Sequence, residues 1–298
     1  MIEELMNYGS VEEHATLKKL NTYRIGGCAR YLLSPNSIND LIGMLRVLKK
    51  NHVKYFVLGN GSNIILNDRE YDGAVIRLNK LNGIEIHPDM EMAYAEAGVM
   101  LPKLALESVN ASLMGLEFAA GIPGTVGGSI LGNAGAYNSC LLDYVSSVTA
   151  IDENLNLCVL EHEDIEYSYR TSSFKEKRNY IIVAAKFFLK KGDKENSLEM
   201  IENRRLRRLE SQPLEYPSAG SVFRNPEGDF AGRLIESCNL KGKRIGGAEV
   251  SDKHANFIIN KENATSKDVY DLIKYVHDTV MEKTTVDLII EQEFIDWE

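Results

Sequence analysis

The stretch YFVLGNGSNIILN, residues 55–67, decides the fold class. An apolar run of aromatic and β-branched residues leads into Gly59, Asn60, Gly61, Ser62 and Asn63, and a second apolar run follows at once. A dinucleotide-binding βαβ unit would need a third glycine at position 64 and a helix after it, so that helix and strand pack closely. Position 64 is isoleucine and IILN continues as a strand, which takes the stretch out of the Rossmann class. Two readings of the loop stay open: a tight strand-to-strand turn, or a concave anion site built from successive backbone N–H groups with Ser62 and Asn63 as added donors.

A second loop, AAGIPGTVGGSILGNAGAYN at residues 119–138, carries six glycines and no charged residue. Such a stretch lets backbone approach another backbone, or a flat polyphosphate-bearing ligand, closely. Two loops of this kind in one half of the chain favour a large nucleotide cofactor held mainly by main chain. A P-loop is excluded because GxxxxGK is absent.

Around these loops the periodicity predicts an α+β fold. Ser37 and Asp40 open a capping box before an amphipathic helix over 37–50, and strands are expected at KYFVL, GAVIRL, EMAYAEAG, SSVTAID and YIIVAAKFFL. A hairpin is predicted at 152–156 and a short helix at 101–109. From residue 194 the pattern shifts to a charged helix to about 210, a helix over 229–237, a strand NFIIN and a long helix from Thr265 bearing Val269, Leu272, Ile273, Val276 and Val280 on one face. A domain boundary near 190 follows, dividing the chain into 1–190 and 191–298.

The 298 residues, 44% hydrophobic and 26% charged, have globular composition, and 34 basic against 43 acidic residues leave a net charge of -9. That balance argues against a general nucleic-acid surface. Cys28, Cys140, Cys158 and Cys238 are widely spaced, so buried free thiols are expected rather than disulfides or zinc. The six histidines form no HxH or HExxH, so no metal is expected. No run approaches the roughly 20 apolar residues of a membrane span, and a soluble cytoplasmic protein is expected.

Three places carry candidate chemistry. In PSAGSVFRNP (217–226), Ser221 lacks the second glycine of a hydrolase elbow; turn hydrogen bonding or proton donation to a strongly basic centre remain. In YSYRTSSFK (167–175), Arg170 lies among aromatics and hydroxyls, where stacking on Tyr167 or Tyr169 is the structural alternative. In DLIIEQEFI (287–295), read as a strand, Glu291 and Glu293 share a face with Ile289 and Ile295, as rim charges or as groups with a tuned pKa. Arg204, Arg205, Arg207 and Arg208 form a basic run, a solvated face or a phosphate partner.

Together with NTYRIGG (21–27) and the terminal IEQEF (290–294), these motifs closely resemble the UDP-N-acetylenolpyruvoylglucosamine reductase (MurB) family of flavoenzymes, in the expected order along almost the whole chain. The resemblance implies an FAD-binding domain of the PCMH, or vanillyl-alcohol-oxidase, type with two subdomains over 1–190, followed by the family's α+β substrate-binding domain over 191–298. It implies that Asn60, Gly61, Ser62, Asn63, Gly121, Ile122, Pro123, Gly124, Gly127, Gly128, Asn133 and Gly135 hold FAD. No histidine lies in GNGSN, so the FAD is expected to be noncovalent.

The implied reaction, in peptidoglycan precursor synthesis, is NADPH-dependent reduction of UDP-N-acetyl-3-O-(1-carboxyvinyl)-glucosamine to UDP-N-acetylmuramate. Hydride passes from NADPH to flavin N5 and on to C3 of the enolpyruvyl group. By family position Arg170 stabilises the developing enolate, Ser221 protonates C2, and Glu293 assists at the same carboxylate or relays a proton. Glu291 stands two positions from Glu293, and Gln292 and Phe294 replace commoner residues of the L-E-x-E-V ending. Gln212, Arg224 and Asn225 match positions that contact the UDP portion. The short distance from Arg170 to the next strand favours the shorter, type II subtype, and a monomer is expected. A flavin oxidoreductase of the same cofactor fold acting on another small molecule, and a noncatalytic nucleotide-binding module, are the competing expectations.

Overall fold

The computed structural model describes residues 1–177 and 179–297. The chain forms two compact units, one from residues 1–13, 31–60 and 73–205 and one from 14–30, 61–72 and 206–298. The second unit is thus drawn from three stretches of chain, where the sequence places the division at 190. Tyr23, Ile25 and Ile65, far upstream, belong to its apolar core beside Val222, Phe223 and Leu272. The charged helix spans Lys194–Ser211 and runs past the edge at 205 and 206.

The first unit is organised by a five-stranded antiparallel sheet in the order Leu157–Glu161, Val145–Ile151, Ile181–Phe188, Met92–Glu96, Ile84–His87. The central Ile181–Phe188 strand buries Ile182, Val183, Ala184 and Ala185 in succession, as expected of a strand covered on both faces. The short helix Val126–Leu131 packs on it. The predicted hairpin closes as Asp152 Oδ1 accepts from the backbone N–H groups of Asn154 and Asn156 at 2.9 and 2.8 Å.

A second sheet runs in the order Gly9–Thr16, Cys28–Pro35, Tyr71–Arg77, Tyr55–Leu58, with the last two strands parallel. The helix Ile38–Lys50 buries Leu41, Met44, Leu45 and Leu48, each such side chain contributing about 1.5–3 kcal/mol. Ser37 caps it by accepting from Asp40 N at 3.1 Å, and the Ser37 hydroxyl itself donates to the Asp40 carboxylate at 2.8 Å. After the glycine loop the chain resumes as the strand Ile64–Leu66, as the failed fingerprint predicts.

In the second unit, Arg244–Ile245, Ala248–Val250 and Ile258–Asn260 form an antiparallel sheet covered by the helix Ser266–Thr284. Its buried face is the predicted one, Val269, Leu272, Ile273, Val276 and Val280. Thr265 starts it with a reciprocal capping box: Thr265 Oγ1 accepts from Asp268 N at 3.1 Å, and Asp268 Oδ2 accepts from Thr265 N at 2.9 Å. Asp68 accepts from Ser266 N and Lys267 N at 3.0 and 3.1 Å, so most of the helix's free N-terminal donors are satisfied.

Of the thiols only Cys238 is buried; Cys28, Cys140 and Cys158 are partly exposed, and all four are free. This corrects the expectation of four buried thiols. The three others lie on or beside strands with one face toward solvent. Among the described residues no helix is long and apolar enough to cross a membrane, and no group of three or more His, Cys, Asp or Glu could hold a metal ion.

Candidate functional site

In the first unit the start of the first glycine loop, Gly59 and Asn60, meets the second. Asn60 Nδ2 donates to the carbonyl of Pro123 at 2.7 Å. A Cβ on Gly59 would stand 2.7 Å from Thr125 Oγ1, so only glycine permits this approach. Thr125 Oγ1 is itself committed, accepting from Gly128 N at 3.3 Å at the start of the Val126–Leu131 helix.

The loops differ in what they offer. In the second, Gly124 N bonds to Ile122 O, Val126 N to Val99 O, Gly127 N to Ala97 O and Ser129 N to Thr125 O, at 2.9, 2.8, 2.9 and 2.8 Å. Its amides are therefore spent on holding its own shape. Among the described residues the backbone N–H groups of Asn60, Gly61, Ser62 and Asn63 donate to no protein acceptor. Ser129 Oγ is buried 2.6 Å from where a Gly124 Cβ would lie, and has no hydrogen-bond partner among the described residues. Consecutive amides without protein acceptors and the absence of a carboxylate in the GNGSN loop fit a phosphate group.

Gly121 ends the 3-10 turn Glu117–Gly121, and Gly135 lies in the bridge Gly135–Ala136 opposite Ser139–Cys140. Asn133, expected at the cofactor, turns its side chain inward: Nδ2 donates to Ser168 O at 3.0 Å and Oδ1 accepts from Leu142 N at 3.2 Å. That bond fixes the strand before Arg170. Tyr167–Ser168 and Thr171–Ser172 make a hairpin whose two-residue turn is Tyr169 and Arg170, and Ser172 Oγ donates to Leu131 O at 2.7 Å. Arg170 takes φ +60°, a left-handed conformation uncommon for arginine, and its guanidinium lies 5.1 Å from the Tyr169 ring centroid. The stack foreseen as an alternative thus exists, on a hairpin tied at both strands to the end of the second glycine loop.

In the second unit Ser221 bridges antiparallel to Phe257, and Phe223 to Ile290. Val222 N donates to Asn256 O at 2.9 Å, while the buried Asn256 side chain accepts from Phe223 N at 3.0 Å and donates to Phe223 O at 2.8 Å, imitating a strand partner. The C-terminal segment departs from the single strand expected over 287–295. Up to residue 291 it follows 222–224, through Arg224 N to Ile289 O and Glu291 N to Val222 O at 2.9 and 2.8 Å. From Glu293 it pairs in parallel with Ile64–Leu66. The chain bends at Gln292, so Ile289 is left exposed and only Glu293–Ile295 is regular strand.

Asn63 lies at this change of partner: its Nδ2 donates to Glu291 O at 3.2 Å and its carbonyl accepts from Glu293 N at 2.9 Å. Gln292 is buried between the two glutamates. Its Oε1 accepts from Tyr23 OH at 3.2 Å, and its Nε2 donates to Ala219 O at 3.1 Å, with Gly220 O and Ser221 O at 3.4 and 3.5 Å. Burial drives the Tyr23 hydroxyl pKa upward, only partly offset by the bond to Gln292, so it stays protonated. Sequence reasoning named Gln292 only as a departure from pattern; the available signal was an amide alternating inward with Ile290.

The remaining expected contacts are modest. Gln212 Oε1 accepts from Arg208 Nε at 3.0 Å, and Asn225 Oδ1 accepts from Ala231 N at 3.1 Å at the start of the helix Ala231–Ser237. Arg224 is half-buried on the Phe223 strand. In the basic run, Arg205 forms two 2.7 Å bonds to Glu202, and Arg204 stacks over Tyr137 at 4.3 Å, so these two charges are not a shared phosphate site.

Known proteins match this geometry. The family described as UDP-N-acetylenolpyruvoylglucosamine reductase, C-terminal domain, matches residues 212–295, and an FAD binding domain family matches 29–157. A UDP-N-acetylenolpyruvoylglucosamine reductase of Clostridium novyi is 40% identical over 294 residues, covering 99% of this chain and 95% of the relative. One from Caldicellulosiruptor bescii is 44% identical over 281 residues, covering 94% and 88%. The crystal structure of UDP-N-acetylenolpyruvylglucosamine reductase from Thermus caldophilus superposes with a TM-score of 0.82 at 32% identity, covering 96% of this chain and 99% of that one. A variant of Phl p 4, a glucose oxidase, shares the fold alone over 64% of this chain and 44% of its own, with a TM-score of 0.51 at 16% identity.

Proposed function

Because the chain belongs to the UDP-N-acetylenolpyruvoylglucosamine reductase family, we propose that this FAD-dependent oxidoreductase of peptidoglycan synthesis reduces UDP-N-acetyl-3-O-(1-carboxyvinyl)-glucosamine to UDP-N-acetylmuramate at the expense of NADPH. The observation that carries this is the meeting of the two glycine loops through Asn60 and Pro123, with the amides of residues 60–63 left as donors. FAD, when bound, supplies the two-electron chemistry that moves hydride from NADPH to C3 of the enolpyruvyl group.

The chain's own residues do the rest. Asn60, Gly61, Ser62 and Asn63, through their amides, and Gly121, Ile122, Pro123, Gly124, Gly127, Gly128, Asn133 and Gly135 would hold FAD, noncovalently. As hydride arrives at C3, negative charge develops on C2 and the carboxylate, and Arg170 stabilises it. Ser221 gives its proton to C2, which turns the vinyl ether into the saturated lactyl ether, and recovers a proton from solvent. Glu293 assists at the substrate carboxylate and in that proton's return. Gln212, Arg224 and Asn225 bind the UDP end.

In sequence terms we assign FAD binding to 1–190 and substrate binding to 191–298, with 14–30 and 61–72 contributing to the second compact unit. The shorter subtype is supported by the chain reaching the Ile181–Phe188 strand, among the described residues, with only the helix Ser173–Lys177 after Arg170's hairpin. A nucleotide-sugar substrate and NADPH would suit a cytoplasmic enzyme. The test is incubation with NADPH and the enolpyruvyl substrate followed by mass spectrometry: a product heavier by two hydrogens supports the proposal, and unchanged substrate with a flavin-loaded protein refutes it.

A further inference from the structure

The loop 219–221 is anchored by the buried Ala219 and by the bridge from Ser221 to Phe257, and a buried amide holds it from one side. Gly220 has φ +73° and nothing within 4 Å of where a Cβ would lie, so no neighbouring side chain imposes its conformation. Three successive carbonyls instead curl round Gln292 Nε2, the nearest at 3.1 Å and the next two at the long limit of hydrogen bonding. Tyr23 OH reaches the other end of the same amide at 3.2 Å. The three carbonyls, which can only accept, oblige Nε2 to face them, since the reverse orientation would oppose acceptors to acceptors, and this leaves Oε1 to accept from Tyr23 OH.

We propose that Gln292, anchored at its Oε1 end by Tyr23, is a positioning residue that sets the Ser221 hydroxyl for proton transfer. This rests on the reading of Ser221 as the proton donor. Proton transfer from a weak acid depends steeply on geometry, and a displacement of about 1 Å can cost about a hundredfold in rate. Gln292 sits at the bend where the C-terminal segment changes strand partner, so one buried amide couples the registry of Glu293 to the curvature of the serine loop. A neutral pair suits this role, because neither residue changes charge over the working pH range and neither competes for the proton.

The experiment compares wild type, Gln292→Met, Tyr23→Phe and Ser221→Ala in the two half-reactions by stopped-flow absorbance: flavin bleaching by NADPH, then recovery of colour on adding the enolpyruvyl substrate. Gln292→Met keeps volume and removes both donors. It is expected to leave bleaching unchanged and to slow recovery about a hundredfold, with a larger solvent deuterium isotope effect on recovery. Tyr23→Phe is expected to slow recovery alone by a smaller factor. Equal losses in both half-reactions, or a lowered melting temperature with recovery intact, would overturn the positioning role. If Gln292→Met does not fold, Tyr23→Phe decides: unaltered recovery overturns the proposal. Rapid recovery in Ser221→Ala would instead remove the proton-donor reading and the proposal with it, whereas slow Ser221→Ala beside rapid Gln292→Met would remove only the positioning.

Discussion

The side-chain amide of Asn133 donates to the carbonyl of Ser168 at 3.0 Å, and so ties the glycine-rich segment to the hairpin that presents Arg170. The same side chain accepts from Leu142 N, and the residue is almost fully buried. Asn133→Ala leaves the buried Leu142 N–H without a partner, at a cost of about 1–3 kcal/mol, and frees the more exposed Ser168 carbonyl. The melting temperature should fall clearly, and in the folded fraction the substrate half-reaction should slow while FAD is retained. Loss of FAD with an unchanged melting temperature would show that Asn133 serves the cofactor directly.

Gly59 makes a sharper test of the loop junction. In Gly59→Ala the new methyl meets Thr125 Oγ1, which cannot swing away without giving up its bond to Gly128 N. FAD affinity, measured by fluorescence titration of the apoprotein, should weaken. Thr125→Ala in the same chain should restore part of it, because the next Thr125 atoms lie at 3.8 and 3.9 Å.

The Ser266–Thr284 helix offers a stability prediction free of the active site. Thr265→Ala removes one half of a complete capping box and should lower unfolding stability by about 1 kcal/mol, read as a shifted denaturant midpoint at constant slope. An unchanged midpoint would mean that Asp68, bonded to the next two amides, satisfies the terminus by itself.

His277 gives the fold a pH dependence. Its ring nitrogens lie 2.9 Å from Asp278 and 2.8 Å from Asp287, and these bonds, the first the larger, raise its pKa above the ordinary histidine value. A raised folded-state pKa adds stability that is fully present below the unfolded pKa and is lost as pH rises through the folded one. The melting-temperature gap between wild type and His277→Gln should therefore be widest at mildly acidic pH and close on the alkaline side. A gap that widens with pH would contradict the charged pair.

What could be read in the sequence was local. Ile64 in place of glycine told strand from helix, and Thr265 with Asp268 marked a helix start, because both depend on residues within one turn of chain. What could not be read was which distant groups share a bond. Asn133 stands in a loop of cofactor type, yet its partners are Ser168 and Leu142. The segment 287–295 alternates like one strand, but its first half pairs with 222–224 and its last three residues with 64–66, and no pattern within nine residues encodes that exchange. The contributions of Tyr23, Ile25 and Ile65 to the second unit's core escaped a linear boundary for the same reason.

The reductase assignment is tested most directly by one anaerobic titration. Purified protein carrying FAD is bleached with NADPH and then given the enolpyruvyl substrate while the visible spectrum is followed. The account predicts that the substrate restores the oxidised flavin spectrum, mole for mole. A flavin that bleaches and then stays bleached in the presence of the substrate would contradict it.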